Sequence, residues 1–265
     1  MTSPAVALLR FVAFTLLTLV LIPPHMMLMA AGRQNGLARA YWTRVGRLMG
    51  FRIRRHGVAM TEGPALIVAN HASYLDIVVL GGLISATFVA KSDVAGWPGF
   101  GFLAKLGRTV FVERRPRGSA VERDRLRRRL DQGDTLILFP EGTSNDGNRV
   151  LAFKSSLLAA AEVADKDRPL PVQPITIAYS GLDGLPLQRA FRALYAWYGD
   201  MTLFGHLMAV LGLGNATIDV IVHPPVTIAD FSDRKALTQH CHAVIQNSLA
   251  LALAGRLPPE TAVNQ

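Results

Sequence analysis

The stretch at residues 65–76, ALIVANHASYLD, constrains the fold more than any other part of the chain. Its five leading apolar residues lack polar alternation and fit a short buried strand. Asn70 to Ser73 is turn and helix-cap chemistry, and from Tyr74 the pattern becomes helical. His71 and Asp76 are five residues apart, a spacing that on a regular helix sets side chains about 140° apart. They therefore meet only if His71 precedes the helix and its ring folds back over the first turn. Held on one ring nitrogen by the carboxylate, the imidazole is a general base on the other at neutral pH. The competing reading is a capping His and an Asp drawn to the positive end of the helix dipole.

Three more strand patterns end in chemistry. Residues 87–91, TFVAK, finish on Lys91, which either reaches an anionic substrate or is solvated. Residues 109–112 deliver Glu113, Arg114 and Arg115, and an arginine at a strand end suits a bidentate phosphate clamp. Residues 135–139 are a buried strand stopped by Pro140, and Glu141, Gly142, Thr143 and Ser144 form the turn that follows. A carboxylate and small hydroxyls around a glycine allow close backbone approach to a phosphate or a substrate hydroxyl. An Ala-rich helix follows Lys154, and then a strand over 170–179, in which Pro174 points to an edge or bulge position.

Residues 5–22 form an apolar run with one charge, Arg10, and Pro23 and Pro24 break it before apolar residues resume. At about 1.5 Å per residue the run spans about 27 Å, enough for a thin bilayer core. A single crossing, a helical hairpin entering one leaflet and a cleavable signal compete, with a buried core helix as the bland alternative. Arg33, Arg39, Arg44 and Arg47 follow the run and assign the domain to the cytoplasmic face of the inner membrane by the positive-inside rule. The expected division is a membrane-associated helix or hairpin over 1–35 and one globular domain over 36–265.

A net charge of +9 and a pI near 10.3 call for an anionic partner, and a mean hydropathy of +0.28 favours membrane phospholipid over nucleic acid. No RGG segment or zinc-finger spacing is present, and 8% aromatic content supplies no stacking platform for bases. The arginines of residues 119–131 read either as a surface for lipid headgroups or as solvated ion pairs with Glu122, Asp124 and Asp131. Gly99, Gly101 and Ala104 match a degenerate dinucleotide fingerprint, but no strand precedes them, so they are read as close helix packing. His240 and His242 lie on different helical faces and fit no metal site, and His206 and His223 are read as structural. The single Cys241 forms no internal disulfide, which suits a reducing compartment.

Taken in order, Asn70-His71 with Asp76, then Phe111 to Arg114, then Phe139 to Thr143, then Val172 to Ile175 resemble the four motif blocks of the glycerolipid acyltransferases, specifically the 1-acylglycerol-3-phosphate acyltransferase group. The spacing after Gly107 is longer than is usual in the second block. The resemblance implies an α/β domain whose mixed sheet is flanked by helices, preceded by the membrane-associated segment. It also implies transfer of an acyl group from acyl-CoA or acyl carrier protein to lysophosphatidic acid, giving phosphatidic acid. His71 would be the base, with Asp76 fixing its tautomer. Arg114 would hold the acceptor phosphate, Glu141, Gly142 and Thr143 would complete the acceptor pocket, and Ser144 would support it. No cofactor or metal is called for, since the thioester is a co-substrate, and the chain has no G-x-S-x-G elbow for a covalent route. The alternative acceptor is another lyso-lipid, such as lyso-ornithine lipid, whose headgroup lacks phosphate.

Overall fold

The computed structural model describes residues 2–97, 99–112, 119–163 and 169–257. The polypeptide enters through α1 (Pro4–Ala30) and α2 (Asn35–Leu48), then β1 (Phe51–Gly57), β2 (Leu66–Ala69), α3 (Leu75–Leu83) and β3 (Thr87–Lys91). Next come α4 (Phe100–Leu106), β4 (Val110–Val112), α5 (Ser119–Asp131), β5 (Leu136–Leu138) and β6 (Val172–Leu182). The order closes with β7 (Leu185–Pro186), α6 (Leu203–Leu211), β8 (Ala216–Val222) and α7 (Arg234–Leu253). The strands form one sheet in the order β1-β8-β6-β2-β5-β3-β4, with β7 paired to β6. Strands β6, β2, β5, β3 and β4 run parallel to one another, while β8 is antiparallel to β6 and parallel to β1. This is the expected mixed sheet flanked by helices.

Alternation along β2 explains the two-layer covering. Ala65, Ile67 and Ala69 pack into a core shared with α2, α3 and α6, whereas Leu66 and Val68 pack into one shared with α5 and α7. Both sets are fully buried, as a central strand between helix layers requires. The parallel strands β2, β5 and β3 therefore end at the same edge of the sheet, and their C-terminal turns carry the candidate chemistry.

Four expectations change. Pro23 and Pro24 do not end the first helix, because α1 runs through them to Ala30. Each proline removes one N–H from the ladder, and the turn beyond them is held by His25 Nε2, which donates to the Leu106 carbonyl at 3.1 Å. Pro174 occupies neither an edge nor a bulge, since β6 lies between β2 and β8 and its irregularity falls at Tyr179/Gly181. The missing donor is replaced locally. His223 N donates to Pro174 O at 3.0 Å, while His223 O, which proline cannot serve, accepts from the Gln173 side chain at 3.1 Å. The Ala-rich segment after Lys154 is a 3-10 helix, Ser155–Val163. Finally, α5 packs on the face of the sheet opposite α1, and its ion pairs follow the expected partners only in part. Arg127 pairs with Asp131 as expected, whereas Arg129 pairs with Asp134 beyond the helix and Arg125 donates to Phe111 O.

Two smaller readings hold. Gly101 brings α4 against the preceding turn, where a Cβ would meet Ala95 O at 2.4 Å. His223 is held by Thr176 at 3.0 Å, and burial lowers its pKa to about 4.

Candidate active site

The turn after β2 has the geometry that its spacing demands. Helix α3 begins at Leu75, so His71 precedes it and Asp76 lies in its first turn. His71 Nδ1 donates to Asp76 Oδ2 at 2.9 Å, and the same oxygen accepts from Ala72 N at 2.9 Å and Ser73 N at 3.0 Å. Asp76 is 0% exposed, and its other oxygen, Oδ1, accepts from Tyr179 Oη at 2.8 Å. With Nδ1 carrying the proton, Nε2 is the free lone pair, and it has no partner among the described residues. Phe139 stacks on the imidazole with ring centroids 4.2 Å apart and an interplanar angle of 18°, and so fixes the ring plane.

Asn70 ties this turn to β6. Its Oδ1 accepts from Ile177 N at 2.8 Å and its Nδ2 donates to Ile177 O at 2.9 Å, extending the ladder by one side chain just before His71.

The turn after β5 faces the other way. Glu141 is 2% exposed, and both of its oxygens are engaged by the protein. Oε1 accepts from His71 N at 2.7 Å, and Oε2 accepts from Asn145 Nδ2 at 2.7 Å and Leu151 N at 2.8 Å. Burial pushes its pKa up to about 7, outweighing the three donors that favour the anion. Gly142 adopts φ +68°, a conformation that favours glycine, and a Cβ there would meet Lys154 Nζ at 2.9 Å. Thr143 is exposed beside it, and Ser144 Oγ donates to Trp197 O, anchoring the loop that carries Trp197. Lys91 ends β3 half-buried. Arg114, with Glu113 and Arg115, lies outside the described residues.

The structure thus joins His71, Asp76 and Glu141 directly, with Gly142 to Ser144 continuing the turn. Tyr179 and Asn145 were not singled out by the sequence. Their sole signal is position: one lies four residues past the fourth block on the same strand and the other follows the third.

A family model described as Acyltransferase matches residues 51–178. Over 254 residues the chain is 41% identical to the lyso-ornithine lipid O-acyltransferase of Brucella abortus, covering 94% of this chain and 95% of that one. The chain belongs to the glycerolipid acyltransferase family. It is also 41% identical to the Rhizobium meliloti protein of the same name, over 82% of this chain and 76% of that one. The 1-acyl-sn-glycerol-3-phosphate acyltransferase of Neisseria gonorrhoeae is 29% identical over 65% and 64%. The crystal structure of the Thermotoga maritima 1-acyl-sn-glycerophosphate acyltransferase shares the fold, with a TM-score of 0.65 at 20% identity over 95% of this chain and 97% of that one.

This acyltransferase of lysolipids contains a cavity of about 160 Å³ between α2, α3 and α4. Tyr74 and Phe88 line its inner side, and Phe88 stacks on Phe139, which in turn stacks on His71. Trp42, Val78, Phe100 and Leu103 supply much of the apolar wall. A smaller hollow of about 60 Å³ shares Trp42 and Leu103 and reaches Leu21 and Ile22 of α1.

Proposed function

We propose that the chain transfers a fatty acyl group from an acyl thioester to the free hydroxyl of lyso-ornithine lipid. The observation that carries this acceptor is the order of the relatives: those bearing the lyso-ornithine name reach 41% identity across most of their length, against 29% for the lysophosphatidate enzyme. Lysophosphatidic acid, the acceptor first expected from the motif blocks, becomes the second reading.

The geometry supports one mechanism for either acceptor. The acceptor hydroxyl gives its proton to His71 Nε2 as its oxygen bonds to the thioester carbon. Asp76 stabilises the imidazolium through Nδ1. Collapse of the tetrahedral adduct breaks the C–S bond, and the imidazolium returns the proton to the departing thiolate of coenzyme A or of the carrier protein's prosthetic group. The apolar cavity beside Tyr74 and Phe88 takes the acyl chain.

The membrane is reached through α1. Its outer side is apolar and exposed, with Leu9 at 70% and Met27 at 75%, and its 18-residue window has a mean hydropathy of 2.5. Yet the helix is fastened to the domain along its length. Ser3 N donates to Gly212 O, Arg10 to the carbonyls of Leu211 and Leu213, and His25 to Leu106 O, while Thr18 bonds Tyr41. A crossing would strip those contacts, so α1 lies along one leaflet with the domain beside it. Arg33, Arg39, Arg44 and Arg47 favour the cytoplasmic leaflet.

The test offers purified full-length protein in detergent both lyso-ornithine lipid and lysophosphatidate, with palmitoyl-CoA and with palmitoyl acyl carrier protein as donors. Transfer at least about tenfold faster to lyso-ornithine lipid with either donor supports the reading. Faster transfer to lysophosphatidate restores the second reading, and turnover of neither lipid with either donor defeats both.

A further inference from the structure

The fourth motif block, Val172 to Ile175, carries no chemistry that the sequence reveals, yet four residues further along the same strand Tyr179 touches the His71–Asp76 pair. Asp76 divides its donors unequally. Oδ2 takes His71 Nδ1, Ala72 N and Ser73 N, and Oδ1 takes Tyr179 Oη alone among the described residues. Tyr179 is 5% exposed, and burial raises its pKa, with the neighbouring Asp76 charge acting in the same direction. At any working pH it is therefore a neutral phenol with a proton to donate. Its ring stacks on Tyr195 at 5.4 Å and 9°. The strand beneath it is locked to β2 two residues earlier, where Ile177 exchanges both backbone groups with Asn70.

We propose that Tyr179 is a positioning residue for the transfer reaction: its hydroxyl fixes the plane of the Asp76 carboxylate so that Oδ2 faces His71 Nδ1. Without it, Oδ1 is a buried anionic oxygen with no donor, and the carboxylate rotates to share the Ala72 and Ser73 amides between its two oxygens. The His71 bond is the one that suffers, because the amides are fixed in the backbone, whereas the imidazole, held in its plane by Phe139, still turns within that plane. This inference rests on His71 being the base.

The test compares wild type, Tyr179→Phe, Tyr195→Phe, Asp76→Asn, the Tyr179→Phe/Asp76→Asn pair and His71→Ala in the acyl-transfer assay, as full-length chains. Tyr179→Phe keeps the stacked ring and removes one oxygen. It is expected to lower kcat about 10–100-fold with KM for both substrates within about twofold. The acid limb of its kcat/KM profile moves to lower pH, since the imidazolium loses an oriented counter-charge. Added to Asp76→Asn, it costs less than about twofold more. Tyr195→Phe, whose hydroxyl has no partner among the described residues, stays at the wild-type rate.

A kcat and an acid limb both unchanged in Tyr179→Phe overturn the proposal, and so does a loss that multiplies fully with that of Asp76→Asn. Should the variant melt early, the proton spectrum of the His71 ring decides. The downfield Nδ1–H signal of the Asp-bonded imidazole shifts upfield or disappears if Tyr179 positions the carboxylate, and persists if it does not. An active His71→Ala removes the base reading itself. An inactive His71→Ala beside a wild-type-like Tyr179→Phe removes only this inference.

Discussion

Two turns meet at the candidate active site, each leaving a parallel strand at the same edge of the sheet and each built around a carboxylate. After β2, Asp76 is buried and points back at a side chain, so that the His71 imidazole presents Nε2 outward. After β5, Glu141 is equally buried but meets His71 only at its backbone, holding His71 N on one oxygen and its own loop, through Asn145 and Leu151, on the other. Both are acids in a motif, and only one bonds the His71 ring. The difference teaches that a carboxylate beyond a strand end says little until its donors are counted. Glu141, with both oxygens engaged by protein donors, holds the backbone of His71 in place.

Asp76→Asn breaks the contrast most severely. The amide presents either an oxygen with less charge or an NH₂ group toward His71 Nδ1, and transfer is expected to fall about 10²–10⁴-fold. Initial rates at saturating donor and acceptor measure this.

Glu141→Gln comes next and separates the two carboxylates. One of the three N–H donors, from His71, Asn145 or Leu151, then confronts an amide NH₂. An unsatisfied buried donor costs about 1–3 kcal/mol, which in a domain of this size lowers Tm by about 2–12 °C. Activity falls about tenfold through displacement of His71, with KM for the acceptor little changed. A rise in acceptor KM with kcat intact would instead make Glu141 an acceptor contact.

The same variant carries a pH signature. Because burial lifts the folded pKa of Glu141 to about 7, above the ordinary carboxylate value of 4.5, the native state holds the proton more tightly. Stability from this group therefore declines as pH rises from about 4.5 to about 7. Denaturant midpoints across that window are expected to slope less steeply downward in Glu141→Gln.

Gly142→Ala is the mildest change. A left-handed φ with a β-carbon costs about 1–2 kcal/mol, and the new methyl displaces the flexible end of Lys154 rather than backbone. A modest drop in Tm with kcat within about threefold is expected, read by thermal melting and initial rates.

Much of this contrast is already legible in the primary structure. The uninterrupted apolar runs of β2 and β5 announce buried strands, and the five-residue spacing places His71 ahead of α3, as found. The direction of the Glu141 side chain does not show in a turn motif, because it depends on Leu151 and Asn145 closing around it. Tyr179 is hidden for the same reason: a tyrosine ending a buried strand reads as core until the register of β6 against β2 is known. Pro174 misleads because the expectation from a missing N–H assumes that no side chain stands in for it, whereas Gln173 does. The prolines of α1 mislead alike, since the contact that carries the helix past them comes from α4, about 80 residues away.

The most direct test of the central claim is the acyl-transfer rate of His71→Ala beside wild type, with melting temperatures measured on the same samples. A general base at this position predicts a loss of at least about 10³-fold with Tm little changed, since the ring is partly exposed and its removal leaves Asp76 with three other donors. A folded His71→Ala that retains transfer within about tenfold of wild type would contradict it.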